Sequence, residues 1–227
     1  MTRSRSDANH ARAKEIYETR RMPEIAARWN AKAAAWDHEL EDRSCHLNED
    51  RAYDRFLDEV VLVIQERHKF CATTGVIDAG CATGLVLAKV ISWFAWGIGL
   101  DISPEMIRVA QAKRIAKARF LVGDTFNLSQ NCPKAGAVVS RGVLLSHYGC
   151  QQGELLLKSA LDRLVEGGFI FWDFLNQASR DKYEHVPENK IFFEADEVCA
   201  MALGAGFRKA LVCGEQDRRV RMVLAEK

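Results

Sequence analysis

The chain has no glycine before Gly75, and from that point its texture changes. Short apolar runs alternate with stretches of helical periodicity. Residues 76–78, 95–100, 120–122, 137–140 and 168–174 read as strands, and 85–92, 104–117, 154–165 and 194–203 as helices. Pro104 stands where its missing N–H costs nothing, just after Ser103 as N-cap. Such alternation requires a parallel sheet with helices on both faces. Residues 208–213 and 220–225 are also strand-like, but only the polar turn 214–217 and its flanks separate them. A connection that short cannot make a crossover, so this last pair is antiparallel. The expected fold is α/β and doubly wound, with a mostly parallel seven-stranded sheet, an antiparallel C-terminal hairpin strand and N-terminal helices.

Before Gly75 the pattern is helical, with Pro23 the one proline. Tyr53, Phe56, Leu57, Val60, Val61 and Ile64 recur at helical spacing and mark a buried stripe. Two parts are expected: residues 1–70 as a helical cap or lid, and 71–227 as the core that carries the chemistry.

Composition excludes several classes. A formal net charge of +1 supplies no field for drawing in nucleic acid or an anionic membrane. The first 32 residues hold eight Lys/Arg against four Asp/Glu, which reads as a solvated helix face. Seven cysteines form no CxxC pair, which argues for reduced thiols, a cytoplasmic setting and no zinc site. No apolar leader opens the chain, and no stretch reaches the 18 or so apolar residues that span a membrane.

The chemistry gathers at Asp78-Ala79-Gly80-Cys81-Ala82-Thr83-Gly84, between the first strand and its helix. Small residues there let the backbone turn tightly and let a ligand approach main-chain atoms. Taken alone, such a turn also serves as an ordinary tight connection. Asp101 ends the second strand, 21 residues after Gly80, where a carboxylate accepts ribose hydroxyls. Asp124 follows the third strand and can accept from an adenine amine. A dinucleotide fingerprint needs a third small residue at position 85, which is Leu. Here the small residues fall at 80, 82 and 84, two places after Asp78. A pyrophosphate disfavours a neighbouring anion, whereas a ligand with an ammonium and a sulfonium welcomes one.

Residues 76–84 resemble motif I of the class I S-adenosylmethionine-dependent methyltransferases, an acid followed by G-x-G-x-G. The run Gly99-Leu100-Asp101-Ile102-Ser103-Pro104-Glu105-Met106 resembles the second motif. Gly123-Asp124 and Ser140-Arg141-Gly142-Val143-Leu144 resemble the third and fourth, and residues 164–168 the turn before the fifth strand. The match spans about 75 to 227, and Arg28-Trp29 to Trp36-Asp37 resembles a segment that precedes the core in small-molecule members. Ala82 departs from the pattern by standing where the middle glycine belongs; a positive φ there costs about 1 kcal/mol.

The resemblance implies a Rossmann-like core that binds S-adenosylmethionine and releases S-adenosylhomocysteine. It assigns Asp78, Gly80, Cys81, Ala82 and Gly84 to the methionine moiety, Asp101 to the ribose, and Ile102 with Met106 to the adenine face. Gly123, Asp124 and Thr125 would frame the adenine edge, and Ser140 and Arg141 would lie near the methionine part or the transferred methyl. Trp29 and Trp36 are seven apart, so on one helix they share a face, either packed in the core or closing over the site as a lid. His147 is the candidate general base, with Tyr148 orienting the acceptor or walling the pocket. His38, His46 and His185 are weaker candidates. Residues 175–193 form a long connection suited to acceptor specificity. An Asn/Asp-Pro-Pro-aromatic motif, typical of nucleobase amino methylation, is absent after the fourth strand. The leading expectation is methyl transfer to oxygen or nitrogen of a small molecule, without a metal. RNA or protein as acceptor, and a non-catalytic binding module, are the alternatives.

Overall fold

The computed structural model describes residues 22–41, 49–143, 148–182 and 190–227. Helix α1 (Met22–Asn30) stops at Asn30, and the following turn tightens into bonds such as Lys32 N–H to Trp29 C=O. Helix α2 (Trp36–Glu41) then restarts, so Trp29 and Trp36 do not share one continuous helix. They still meet, edge to face, with ring centroids 5.7 Å apart. Helix α3 (Ala52–Glu66) buries Tyr53, Phe56, Val60 and Ile64 as the stripe demands, with Leu57 and Val61 half-buried. A short helix α4 (His68–Cys71) leads into the sheet.

The core is built from β1 (Gly75–Ala79), α5 (Leu85–Val90), β2 (Trp96–Asp101), α6 (Pro104–Ala112), β3 (Ala118–Val122), β4 (Ala135–Ser140), α7 (Cys150–Arg163), β5 (Leu164–Asn176), β6 (Phe192–Phe193), α8 (Ala195–Ala205), β7 (Lys209–Cys213) and β8 (Val220–Glu226). Ser103 caps α6 by accepting from Met106 N–H, with Pro104 at the first position. That helix ends five residues sooner than its pattern suggests, because Arg114 and Lys117 turn left-handed at φ 51° and 64°.

The strands run β3-β2-β1-β4-β5-β8-β7, and β6 pairs with β5 as an eighth strand. All pairings are parallel except β8, which lies antiparallel between β5 and β7. The hairpin of β7 and β8 therefore inserts its second strand into the sheet. β5 is longer than its apolar run. It starts at Leu164 and absorbs the Glu166-Gly167-Gly168 turn through a register shift opposite Ala135 and Ala137.

Alternation along each strand splits the core in two. Val76, Ala137, Val139, Phe169 and Phe171 pack beneath α3, α5 and α6. Ile77, Ala79, Val138, Ile170 and Trp172 pack against α7 and α8. Strand order reverses between β1 and β4, so the carboxyl ends of these two strands open a crevice suited to a ligand.

Candidate active site

A cavity of 450 Å³ occupies that crevice, within the range of roughly 300–1,000 Å³ usual for small-molecule sites. Its floor is the turn after β1. Gly80 and Cys81 donate their N–H groups to Leu100 C=O at 2.7 and 3.0 Å, tying the turn to β2. Gly80 has φ +78°, and a Cβ there would stand 2.2 Å from Val143, so both torsion and space require glycine. Ala82 takes φ +46°, the left-handed conformation that its place in the pattern demands.

Asp101 is buried, and both its oxygens hold backbone. Oδ2 accepts from Ala82 N–H and Oδ1 from Ser103 N–H, each at 2.9 Å. One carboxylate thus links the floor of the site to the start of α6, and its remaining lone pairs lie at the cavity wall. Burial raises its pKa, while these N–H donors act against the rise. Asp124 accepts from Phe126 N–H at 2.9 Å and caps the short turn 125–130. Phe126 meets Tyr148 edge to face at 4.9 Å, so Tyr148 walls the cavity near Asp124 and Thr125.

Asp78 lies below the floor. It is 1% exposed, and neither carboxylate oxygen has a hydrogen-bond partner among the described residues. Burial pushes it up to about 8; the nearby Leu87 amide, outside hydrogen-bond geometry with either oxygen, opposes the rise and Asp101 adds to it. A buried, orphaned carboxyl beneath a glycine turn fits a ligand that brings a cation to this point.

The N-terminal helices form the roof. Asn30 Oδ1 accepts from Ser103 Oγ at 2.6 Å and from Glu105 N–H at 3.3 Å. Asp37 accepts from Thr83 Oγ1, inside the glycine turn, and pairs with Lys113 at 2.6 Å. Trp29 and Trp36 line the cavity from this roof. Asn30 and Asp37 were not legible as site residues, because polar side chains on an amphipathic helix look like solvated ones; Thr83 was visible only as part of the glycine turn.

Of the sequence candidates, Trp29, Trp36, Gly80, Cys81, Ala82, Asp101, Ile102, Met106, Asp124, Thr125, Arg141 and Tyr148 line the cavity. Asp78, Gly84, Gly123 and Ser140 are not among the lining residues. Ser140 is fully buried and donates to Ala79 C=O at 2.7 Å, a bond that joins β4 to β1. His147 lies outside the described residues, as do His46 and His185. His38 is described, on α2, and is not among the lining residues.

The other end of the cavity was largely hidden in the sequence. Tyr53, Asp173, Lys190 and Arg219 meet there with Arg141. Asp173 Oδ1 accepts from Gly142 N–H at 2.6 Å, and Oδ2 lies 3.6 Å from Arg141 Nε. The Arg141 guanidinium sits 5.4 Å from the Tyr53 ring centroid. Tyr53 belongs to the buried stripe and gave no separate signal; Lys190 was visible only through the length of its loop. No group of His, Cys, Asp and Glu among the described residues is placed to hold a metal, and no described helix is long and apolar enough to cross a membrane.

Residues 76–168 match a family model described as a methyltransferase domain. Among solved structures, the chain is similar to magnesium protoporphyrin IX methyltransferase (ChlM) from Synechocystis PCC 6803 with bound SAM. The two share 17% identity over 91% of this chain and 96% of that one, with a TM-score of 0.65. It is similar to an S-adenosylmethionine-dependent methyltransferase from Clostridium acetobutylicum ATCC 824, with 14% identity, 77% and 91% coverage and a TM-score of 0.63. A chain from the complex of the Haloferax volcanii Trm112 methyltransferase activator with a methyltransferase gives 19% identity, 89% and 96% coverage and a TM-score of 0.64. No curated protein sequence matches.

Proposed function

With a methyltransferase domain of the class I, S-adenosylmethionine-dependent type over residues 76–168, we propose that the protein methylates an oxygen or nitrogen atom of a small molecule. The observation that carries the acceptor class is the roof. α1 and α2 are tied to the floor through Asn30–Ser103 and Asp37–Thr83, which leaves a roofed, partly open pocket of small-molecule size rather than a flat face for a macromolecule.

The donor, S-adenosylmethionine, supplies an electrophilic methyl on a sulfonium. Asp101 offers its free lone pairs to the ribose, Ile102 and Met106 pack on the adenine, and Asp124 accepts at its edge. Asp78 ionises to meet the methionine ammonium through the turn made by Gly80, Cys81 and Ala82. Trp29 and Trp36 exclude water from above. Displacement at a methyl group needs alignment and a dry site more than covalent help, so these residues position the reactants and do no bond chemistry themselves.

Calorimetric titration with S-adenosylhomocysteine tests the donor site. Wild type should bind, and Asp101→Asn, which keeps one acceptor oxygen for the turn, should bind at least tenfold more weakly. Equal affinity would remove the ribose assignment. Methyl-tritiated donor and a cell extract then test the acceptor class: label should appear in a small product separated chromatographically from unreacted donor. Label confined to RNA or protein would refute the small-molecule reading.

A further inference from the structure

The cavity is electrostatically divided. Its donor end is acidic, through Asp101 and Asp124, with Asp78 beneath. The opposite end, at the carboxyl terminus of β5, is cationic. Lys190 and Arg219 approach that strand from its two sides: Lys190 just ahead of β6, which pairs at Leu175, and Arg219 just ahead of Val220, which pairs with Leu175 from β8. Arg141 arrives from the end of β4, and Arg28 from the exposed side of α1.

Arg141, Arg219, Arg28 and Asp173 all act on the charge of Lys190, and Asp173 is the buried carboxylate among them. Glu24, on the exposed start of α1, is the other acid at the rim. The positive groups feel one another. Burial, and then the charges of Arg141, Arg219 and Arg28, push the Lys190 ammonium down to about 7, with Asp173 acting the other way. Asp173 is spent on positioning, since it holds Gly142 N–H and the Arg141 guanidinium. Positive charge concentrated in a concave, low-dielectric site focuses its field on whatever enters. Guanidinium and ammonium groups together are the usual means of gripping carboxylate or phosphate. The neighbouring walls, Phe174, Leu175 and Val220, are apolar.

We propose that this end of the cavity binds an anionic group of the methyl acceptor, a carboxylate or a phosphate, while the acceptor's apolar body lies along Phe174, Leu175 and Val220. Lys190 and Arg219 grip the anion, and Arg141 is held for it by Asp173 and Tyr53. The proposal rests on the methyltransferase reading, and it adds that the protein selects its acceptor by charge.

Benzoate, phenyl phosphate and neutral benzamide are suitable probes, titrated into protein saturated with S-adenosylhomocysteine so that the donor's own carboxylate is already placed. At least one anion should bind tenfold or more tightly than benzamide, and whichever of the two binds better identifies the group. Lys190→Met/Arg219→Met should abolish the preference, with thermal melting and S-adenosylhomocysteine affinity reporting an intact fold and donor end. Benzamide binding as well as both anions, no anion binding, or a preference that survives the double substitution would each overturn the proposal. A double variant that loses S-adenosylhomocysteine while wild type shows no anion preference would assign the cluster to the donor instead. Failure of wild type to bind S-adenosylhomocysteine at all would sink the methyltransferase reading; the same probes on the ligand-free protein would then still decide the anion site.

Discussion

Asp78 couples the stability of the protein to pH through a single buried carboxyl. Its carboxyl is fully enclosed and has no hydrogen-bond partner among the described residues, so burial pushes it up to about 8. The consequence for stability has a definite sign. Above the ordinary value of 3.8 the unfolded chain ionises first, so the native state binds the extra proton and stability falls as pH rises toward 8. Ligand-free Asp78→Asn should lack this component of the slope between pH 5 and 8, measured by urea unfolding. Binding has the opposite trend. A ligand whose ammonium prefers the carboxylate must first remove the proton, so S-adenosylhomocysteine affinity should rise up to about tenfold per pH unit from pH 6 to 8. Flat wild-type affinity across that window would show that no cation reaches Asp78.

At the scale of elements, the glycine turn and the roof above it work as one unit. Thr83 sits within the turn and donates to Asp37 on α2, while Ser103 caps α6 and donates to Asn30 at the end of α1. The roof is therefore fastened at the two loops proposed above to carry the donor site. Asn30→Ala/Asp37→Ala removes both ties and leaves the sheet untouched. S-adenosylhomocysteine should bind about tenfold more weakly, a loss of about 1.4 kcal/mol. Limited proteolysis should cut faster within α1 and α2, while the main thermal transition moves little. Unchanged affinity would mean that the roof takes no part in donor binding. The floor of this unit was legible because its constraints are local: a positive φ and a close approach can be met only by small residues, and Asp101 and Asp124 fall at strand ends that periodicity already locates. The fastenings were not legible. Asn30 lies 73 residues from Ser103 and Asp37 lies 46 from Thr83, and nothing in the neighbours of Asn30 or Asp37 distinguishes a tertiary bond from a solvated side chain. The rest of the cationic end is hidden for the same reason, since Tyr53, Lys190 and Arg219 come from separate parts of the chain that only the strand order brings to Arg141.

At the scale of the whole molecule, the question is whether the helices before β1 form a separate lid or part of the fold. α3 decides this for its own residues. Phe56 is fully buried, and its ring lies 5.2 Å from that of Phe171, in the middle of β5. Val60 and Ile64 are equally buried and share a cluster with Val76, Val139 and Leu224, from three different strands. One face of the sheet thus depends on α3 for its cover, alongside α5 and α6. The start of α3 is also tied to the C-terminal hairpin, where Arg218 pairs with Asp50 at 2.7 Å and Arg55 pairs with the same carboxylate at 3.2 Å. Two contact systems, one apolar and one ionic, join this helix to strands more than a hundred residues away. A separable lid could melt before the sheet; a covering layer could not. Phe56→Ala leaves a cavity against the central strands and should cost about 3–5 kcal/mol. For a chain of this size that corresponds to a fall of roughly 6–20 °C in Tm. The whole transition should move as one, with far-UV circular dichroism and tryptophan fluorescence still coincident. Two separated transitions, with the sheet melting at the wild-type temperature, would show α3 to be an independent lid after all.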